Sequence, residues 1–124
     1  MSHDELSIDL KTEDEGGTLV FILRGSLDLA TSPTIRAALT DAADKGHRNI
    51  IVDLSGLEFL DSTGLGALIG AHRRAGEHEG SLRLVVREGP ILRLLNITGL
   101  IRIFAVFHSL EDARANQDRV AATL

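Results

Sequence analysis

Asp61, Ser62 and Thr63 place a carboxylate beside two adjacent hydroxyls, and Gly64 and Gly66 follow at what reads as the start of a helix. The stretch is FLDSTGLGALIG, Phe59 to Gly70. Such residues can cap a helix, act as a nucleophile beside a base, or accept a phosphoryl group. Glycine costs a helix roughly 1 kcal/mol per site relative to alanine. Two glycines in a first turn therefore call for a reason.

Nucleophilic chemistry is the weakest of the three. A nucleophile elbow reads G-x-S-x-G, and Leu60 stands two residues before Ser62. Triad members need not be close in sequence, but no histidine converges on Ser62. His72 lies almost three helical turns further on, at about 3.6 residues per turn, and reads as a helix-face residue. His47, His78 and His108 fall at turns or element ends, and His3 lies in the N-terminal tail. None has a zinc-ligand spacing. A phosphate-binding loop needs a lysine after its glycines, whereas Gly66 is followed by Ala67 and Leu68.

Capping and phosphoryl acceptance both stand. A helix N-terminus offers free N–H groups and a partial positive charge. A phosphate on Ser62 would bring about -1.5 to -2 charges into a field that tolerates it, while Asp61 would repel it. The fold would persist and the surface would change, rejecting a partner shaped for the bare hydroxyl. Glycines at 64 and 66 would let such a partner approach closely. Equally, Asp61 or Ser62 caps the helix and the glycines permit packing on a sheet.

Alternating elements would position this stretch. Leu6, Ile8 and Leu10 alternate with polar residues as a short first strand, and Glu13 to Gly17 reads as a turn, with Glu13, Asp14 and Glu15 as a solvated loop. Thr18 to Arg24 is a strand ended by Gly25, Ser26, Leu27 and Asp28. Ser32 and Pro33 start a helix bearing Ile35, Ala38, Leu39 and Ala42, closed by Lys45 and Gly46. Asn49 to Leu54 is the next strand. Leu65, Leu68, Ile69 and His72 share a helix face that runs to about Glu79 and Gly80. Ser81 to Arg87 is a strand, Pro90 to Gly99 a short helix, Ile101 to Phe107 the last strand, and Ser109 with Asp112 opens a final helix. The order predicts an α/β fold with a mixed central sheet, parallel in its later strands, and about four helices. Sites in such sheets gather beyond the carboxyl ends of parallel strands, which selects Gly25 to Thr31 and Asp53 to Gly66.

Composition narrows the classes. The 124 residues suit a single domain, 1–124, with flexible ends expected at about 1–4 and 120–124. Hydrophobic residues make up 44% and charged residues 25%, a globular balance. The net charge of -5, the absence of Trp and Tyr and the lack of a basic stripe argue against direct nucleic-acid binding. There is no cysteine, which excludes disulfides, thiolate metal sites and a cysteine nucleophile. The N-terminus lacks an apolar signal core, and no run reaches the roughly 18 apolar residues of a membrane span. A soluble, cytoplasmic protein is expected.

At these residues the chain resembles the STAS domain family, and within it the bacterial anti-sigma factor antagonists. The resemblance covers nearly the whole chain. It includes Gly25-Ser26-Leu27-Asp28, the helix after it, the run NIIVDLSGLEFLDSTGLGALI, the later strand and Ile97-Thr98-Gly99-Leu100. Such antagonists bind an anti-sigma factor that is also a serine kinase and so free a sigma factor, a transcription regulator. Phosphorylation of the first hydroxyl after the Asp ends the binding, and a metal-dependent serine phosphatase restores it. The resemblance implies Ser62 as phosphoacceptor and Thr63 as a minor one. It implies a partner-binding surface of Asp28, Asp61, Ser62, Thr63, Gly64, Leu65 and Gly66. It also implies no catalytic residue, metal or cofactor in this chain, the ATP belonging to the kinase. Other STAS proteins are adaptor subunits of lipid-transport or stress-signalling assemblies, and in that alternative Ser62 is only a cap.

Overall fold

A computed structural model describes residues 8–15 and 18–115. Leu6, His3 and the chain ends expected to be flexible lie outside the described residues. The elements run β1 (Ile8–Glu15), β2 (Thr18–Leu27), α1 (Ser32–Asp44), β3 (Asn49–Leu60), α2 (Ser62–Glu77), β4 (Ser81–Val85), α3 (Pro90–Thr98), a 3-10 turn (Leu100–Arg102), β5 (Ala105–Phe107) and α4 (Leu110–Ala115).

The strands form one sheet in the order β1-β2-β3-β4-β5. β1 is antiparallel to β2, and the β2–β3, β3–β4 and β4–β5 pairs are parallel. The mixed sheet expected from the sequence is therefore present. Each parallel step advances in the same direction, and crossovers are right-handed, so the three connecting helices share one face. Alternation along the strands agrees. Phe21 and Leu23 of β2, Ile50, Val52 and Leu54 of β3, and Leu82 and Leu84 of β4 pack with Ile35 and Leu39 of α1, Leu65 and Leu68 of α2, and Leu95 of α3. The intervening residues Val20, Ile51 and Val85 point to the opposite face, where Ala113 of α4 joins them.

Several boundaries differ from the sequence reading. Glu13, Asp14 and Glu15 are not a loop: they continue β1 and pair with Val20, Leu19 and Thr18. The acidic side chains misled because pairing uses the backbone, which polar residues supply as well as apolar ones. β2 does not end at Arg24 but reaches Leu27, crossing Gly25 at φ 102° with register shifts on both sides. Glycine alone takes that φ without strain. β3 continues past Leu54 to Leu60 through the polar SGLEF segment. Ser32 does not cap α1; Thr31 holds that position, without a side-chain cap bond. The expected last strand, Ile101 to Phe107, is shorter: Ile101 and Arg102 lie in a 3-10 turn, Leu100–Arg102, that follows left-handed Gly99, and the strand begins at Ala105. Ser109 Oγ does accept the Asp112 N–H at 3.1 Å, as its spacing suggested.

Leu68 is fully buried between the sheet and its neighbours. Leu68→Ala is expected to cost about 2–5 kcal/mol, read as a lower urea midpoint with an unchanged denaturant slope.

Candidate functional site

Leu27 and Leu60 end β2 and β3 as partners in register. Asp28 and Asp61 therefore leave the sheet side by side, and the two loops sit at the carboxyl ends of adjacent parallel strands. The Asp61 N–H donates to the Leu27 carbonyl at 3.2 Å, extending the ladder by one bond.

Asp61 is extended, at φ -110° and ψ -173°, and caps α2. Its Oδ1 accepts the Thr63 N–H at 2.9 Å, the Gly64 N–H at 3.0 Å and the Thr63 hydroxyl at 2.5 Å. These bonds, led by the Thr63 hydroxyl and the Gly64 N–H, hold the carboxyl below its ordinary pKa, with a smaller contribution from the Leu29 N–H. Leu29 belongs to the β2–α1 loop. Asp28 is used within that loop. Its Oδ1 accepts the N–H groups of Ala30 at 3.0 Å and Thr31 at 3.1 Å. Thr31 is buried and its hydroxyl donates to the Ser26 carbonyl at 2.7 Å.

The two hydroxyls after Asp61 have different fates. Thr63 is half-buried, bonded to Asp61, and 3.5 Å from Ser32 Oγ of α1. Ser62 is the first residue of α2 and is exposed; its hydroxyl has no partner among the described residues. Capping, one of the two roles open to Ser62, is performed by Asp61 instead.

The two glycines also differ. A Cβ on Gly64 would lie 2.6 Å from the Leu27 carbonyl oxygen and 2.6 Å from Leu60 Cδ1, so the residue is small because α2 presses on the strand ends. Leu65 beside it is buried in the core. A Cβ on Gly66 would meet nothing within 4 Å. Gly66 instead floors a groove of about 400 Å³ with Thr63 and Ala67, facing Leu29, Pro33 and Arg36 of the α1 side. Of the seven residues singled out from the sequence, Asp28, Asp61, Ser62, Thr63 and Gly66 meet at this surface, while Gly64 and Leu65 face inward beneath it.

Sequence reasoning passed over Leu29 and Phe59, which are 73% and 51% exposed beside the two loops. An apolar residue set directly after Asp28, in a loop, was the available signal for Leu29. His72, His78 and His108 make their contacts away from Ser62. His72 is half-buried with its ring edge-on to Phe104 at 5.2 Å, and burial pushes its pKa down. His78 contacts Asp44, and His108 the Val86 carbonyl.

Gly64→Ala is expected to lower the melting temperature by several degrees, through overpacking of about 1–3 kcal/mol. Gly66→Ala is expected to leave it equal or slightly raised, because an exposed helical glycine gives way to a better helix former. The lowered pKa of Asp61 has a definite sign. Its stabilisation is present above the ordinary carboxylate value, about 3.9, and is lost as pH falls through the lower folded-state value. Acid melts of wild type and Asp61→Asn are expected to converge below that range and separate above it.

Comparison with known proteins agrees with this architecture. The family model of the STAS domain matches residues 9–113. An anti-sigma F factor antagonist from Paenibacillus polymyxa is 28% identical over 103 residues, 82% of this chain and 88% of the relative. The crystal structure of an anti-sigma factor antagonist from Mycobacterium paratuberculosis superposes with a TM-score of 0.84 at 29% identity, covering 91% of this chain and 96% of the other. The Bacillus cell fate determinant SpoIIAA in its phosphorylated form superposes with a TM-score of 0.68 at 27% identity, covering 89% of this chain and 98% of the other. Among the described residues no helix is long and apolar enough to cross a membrane. The matched span runs from β1 to α4 and takes in both loops at the strand ends: the chain belongs to the STAS domain family.

Proposed function

We propose that this chain is an anti-sigma factor antagonist. Its unmodified form binds a serine-kinase anti-sigma factor and thereby frees a sigma factor, and phosphorylation of Ser62 by that kinase ends the binding. A serine phosphatase reverses the modification, and the exchange takes place in the cytoplasm. The relatives named as antagonists support the class, and the phosphorylated form of SpoIIAA supports the modification.

The observation that carries the reading is the division of labour around Asp61. Asp61 and Thr63 are bonded into the cap, whereas Ser62 stands exposed with its hydroxyl unbonded among the described residues. A kinase reaches Ser62 without dismantling the helix start, and Thr63 gives up its bond to Asp61 before it reacts. The phosphate then stands beside an Asp61 held in its ionised form by the cap. The helix N-terminus accommodates the new charge, so the domain keeps its fold and the docking surface becomes strongly anionic.

The sheet favours a docking surface over a small-molecule site. In open α/β sheets, ligand crevices form where strand order reverses. Here the order never reverses, and the strand ends carry a shallow, partly apolar groove lined by Leu29, Thr63 and Gly66 next to Ser62. As an adaptor subunit, the chain would use Ser62 only as a cap, a role that Asp61 already fills.

Incubation with candidate anti-sigma kinases and ATP, followed by mass spectrometry, tests the reading. One phosphoryl group on Ser62, absent in Ser62→Ala, is expected. Ser62→Ala should keep its stability within about 0.5 kcal/mol, as an exposed residue, and bind constitutively, while Ser62→Asp should not bind. Gly66→Leu should lose affinity with little change in melting temperature. No label with any of the kinases, together with equal binding by wild type and Ser62→Asp, would contradict the proposal.

A further inference from the structure

Gly70 is a glycine of α2 that the surface around Ser62 does not use. Arg36 of α1 lies flat upon it: a Cβ there would sit 3.2 Å from Arg36 Nη2 and 3.3 Å from both Cζ and Nε. Ser62, Gly66, Gly70 and Arg73 recur at helical spacings of four, four and three, and so form one stripe along α2. Arg36 joins the groove at Gly66 to a second groove of about 350 Å³, lined by Thr40, Gly70 and Arg73 among others.

Both arginines are exposed, and neither has an ion-pair partner among the described residues. Their neighbours are engaged. Arg74 bonds Asp44 and Glu77, His78 contacts Asp44, and Lys45 pairs with Asp41. The second groove thus holds three guanidinium groups against two carboxylates, and both carboxylates are already committed to Arg74. In a chain of net charge -5, this is a local positive site. A guanidinium held flat against a glycine keeps its N–H edge turned toward solvent, pre-organised for a bidentate carboxylate.

We propose that Arg36 and Arg73 form a second anchor, binding carboxylate side chains of the anti-sigma factor that docks over Ser62. The inference rests on the function proposed above and adds the chemistry of the partner surface. The eleven residue steps from Ser62 to Arg73 along α2 span about 16 Å, which fits inside a standard interface of about 800 Å² per partner. Unpaired charges at the rim of an interface act mainly on association rate and salt dependence. The anchor steers the partner toward Ser62 and sets register, while the Ser62 surface decides whether the complex persists.

The test uses the purified anti-sigma kinase that labels Ser62, and measures its binding kinetics at two salt concentrations. Arg36→Glu/Arg73→Glu is compared with Arg93→Glu/Arg102→Glu, which makes the same charge change on α3 and the turn after it, where both arginines are exposed. The first pair is expected to weaken binding about tenfold or more, through slower association with a shallower salt dependence. The second pair should stay within about twofold of wild type. Arg36→Gln/Arg73→Gln, which keeps the bulk over Gly70, should lose affinity by a smaller factor with an unchanged melting temperature. Equal binding by the two Glu pairs, with Ser62→Asp still defective, would overturn the anchor and leave the Ser62 switch standing. Wild-type binding by Ser62→Asp would overturn both.

Discussion

Asp61 Oδ1 gathers the Thr63 and Gly64 amides and the Thr63 hydroxyl onto one oxygen, and the Asp61 amide binds the Leu27 carbonyl. This small set of bonds fixes the corner between β3 and α2 and ties it to the end of β2. Every feature of the surface follows from that corner. With the cap supplied by Asp61, Ser62 needs no internal bond and its hydroxyl faces out. With α2 drawn against Leu27 and Leu60, position 64 has no room for a side chain. Two residues later, on the other side of the helix, position 66 lies over open space.

The fold turns this corner into a surface. Strands added in one direction, each by a right-handed crossover, put α1 and α2 side by side on one face. Their N-terminal ends meet at the strand ends, where Leu29 and Phe59 remain exposed. The operation proposed for this site is recognition by another macromolecule. On the proposed reading, a charge placed on Ser62 alters recognition without drawing on the core, because the nearest buried groups are held by Asp61. In this account the cap insulates fold from switch.

Much of this was legible in the sequence. Apolar runs bounded by glycine, proline and polar turns marked β2, β3, β4 and the helices between them, since burial on one face imposes those patterns. The strand-end position of the DST run followed from the same order. What stayed hidden depends on neighbours distant in the chain. Glu13 to Glu15 pair through backbone bonds that side-chain polarity does not report. The SGLEF segment extends β3 because β2 runs on beside it. Gly64 and Gly66 look alike in sequence and differ only because Leu27 and Leu60 lie against one of them. Arg36 stacks on Gly70 from another helix, and neither residue carries a local signal of the other.

The central claim is that Ser62 switches a surface and leaves the fold alone. Amide chemical shifts of the chain with phosphoserine at position 62, set against the unmodified chain, test it most directly. The account predicts changes confined to the first turn of α2 and to residues 28–31, with the Thr63 and Gly64 amides still bonded to Asp61. Shifts spread through the β4, α3 and β5 core, or loss of the Asp61 cap, would contradict it.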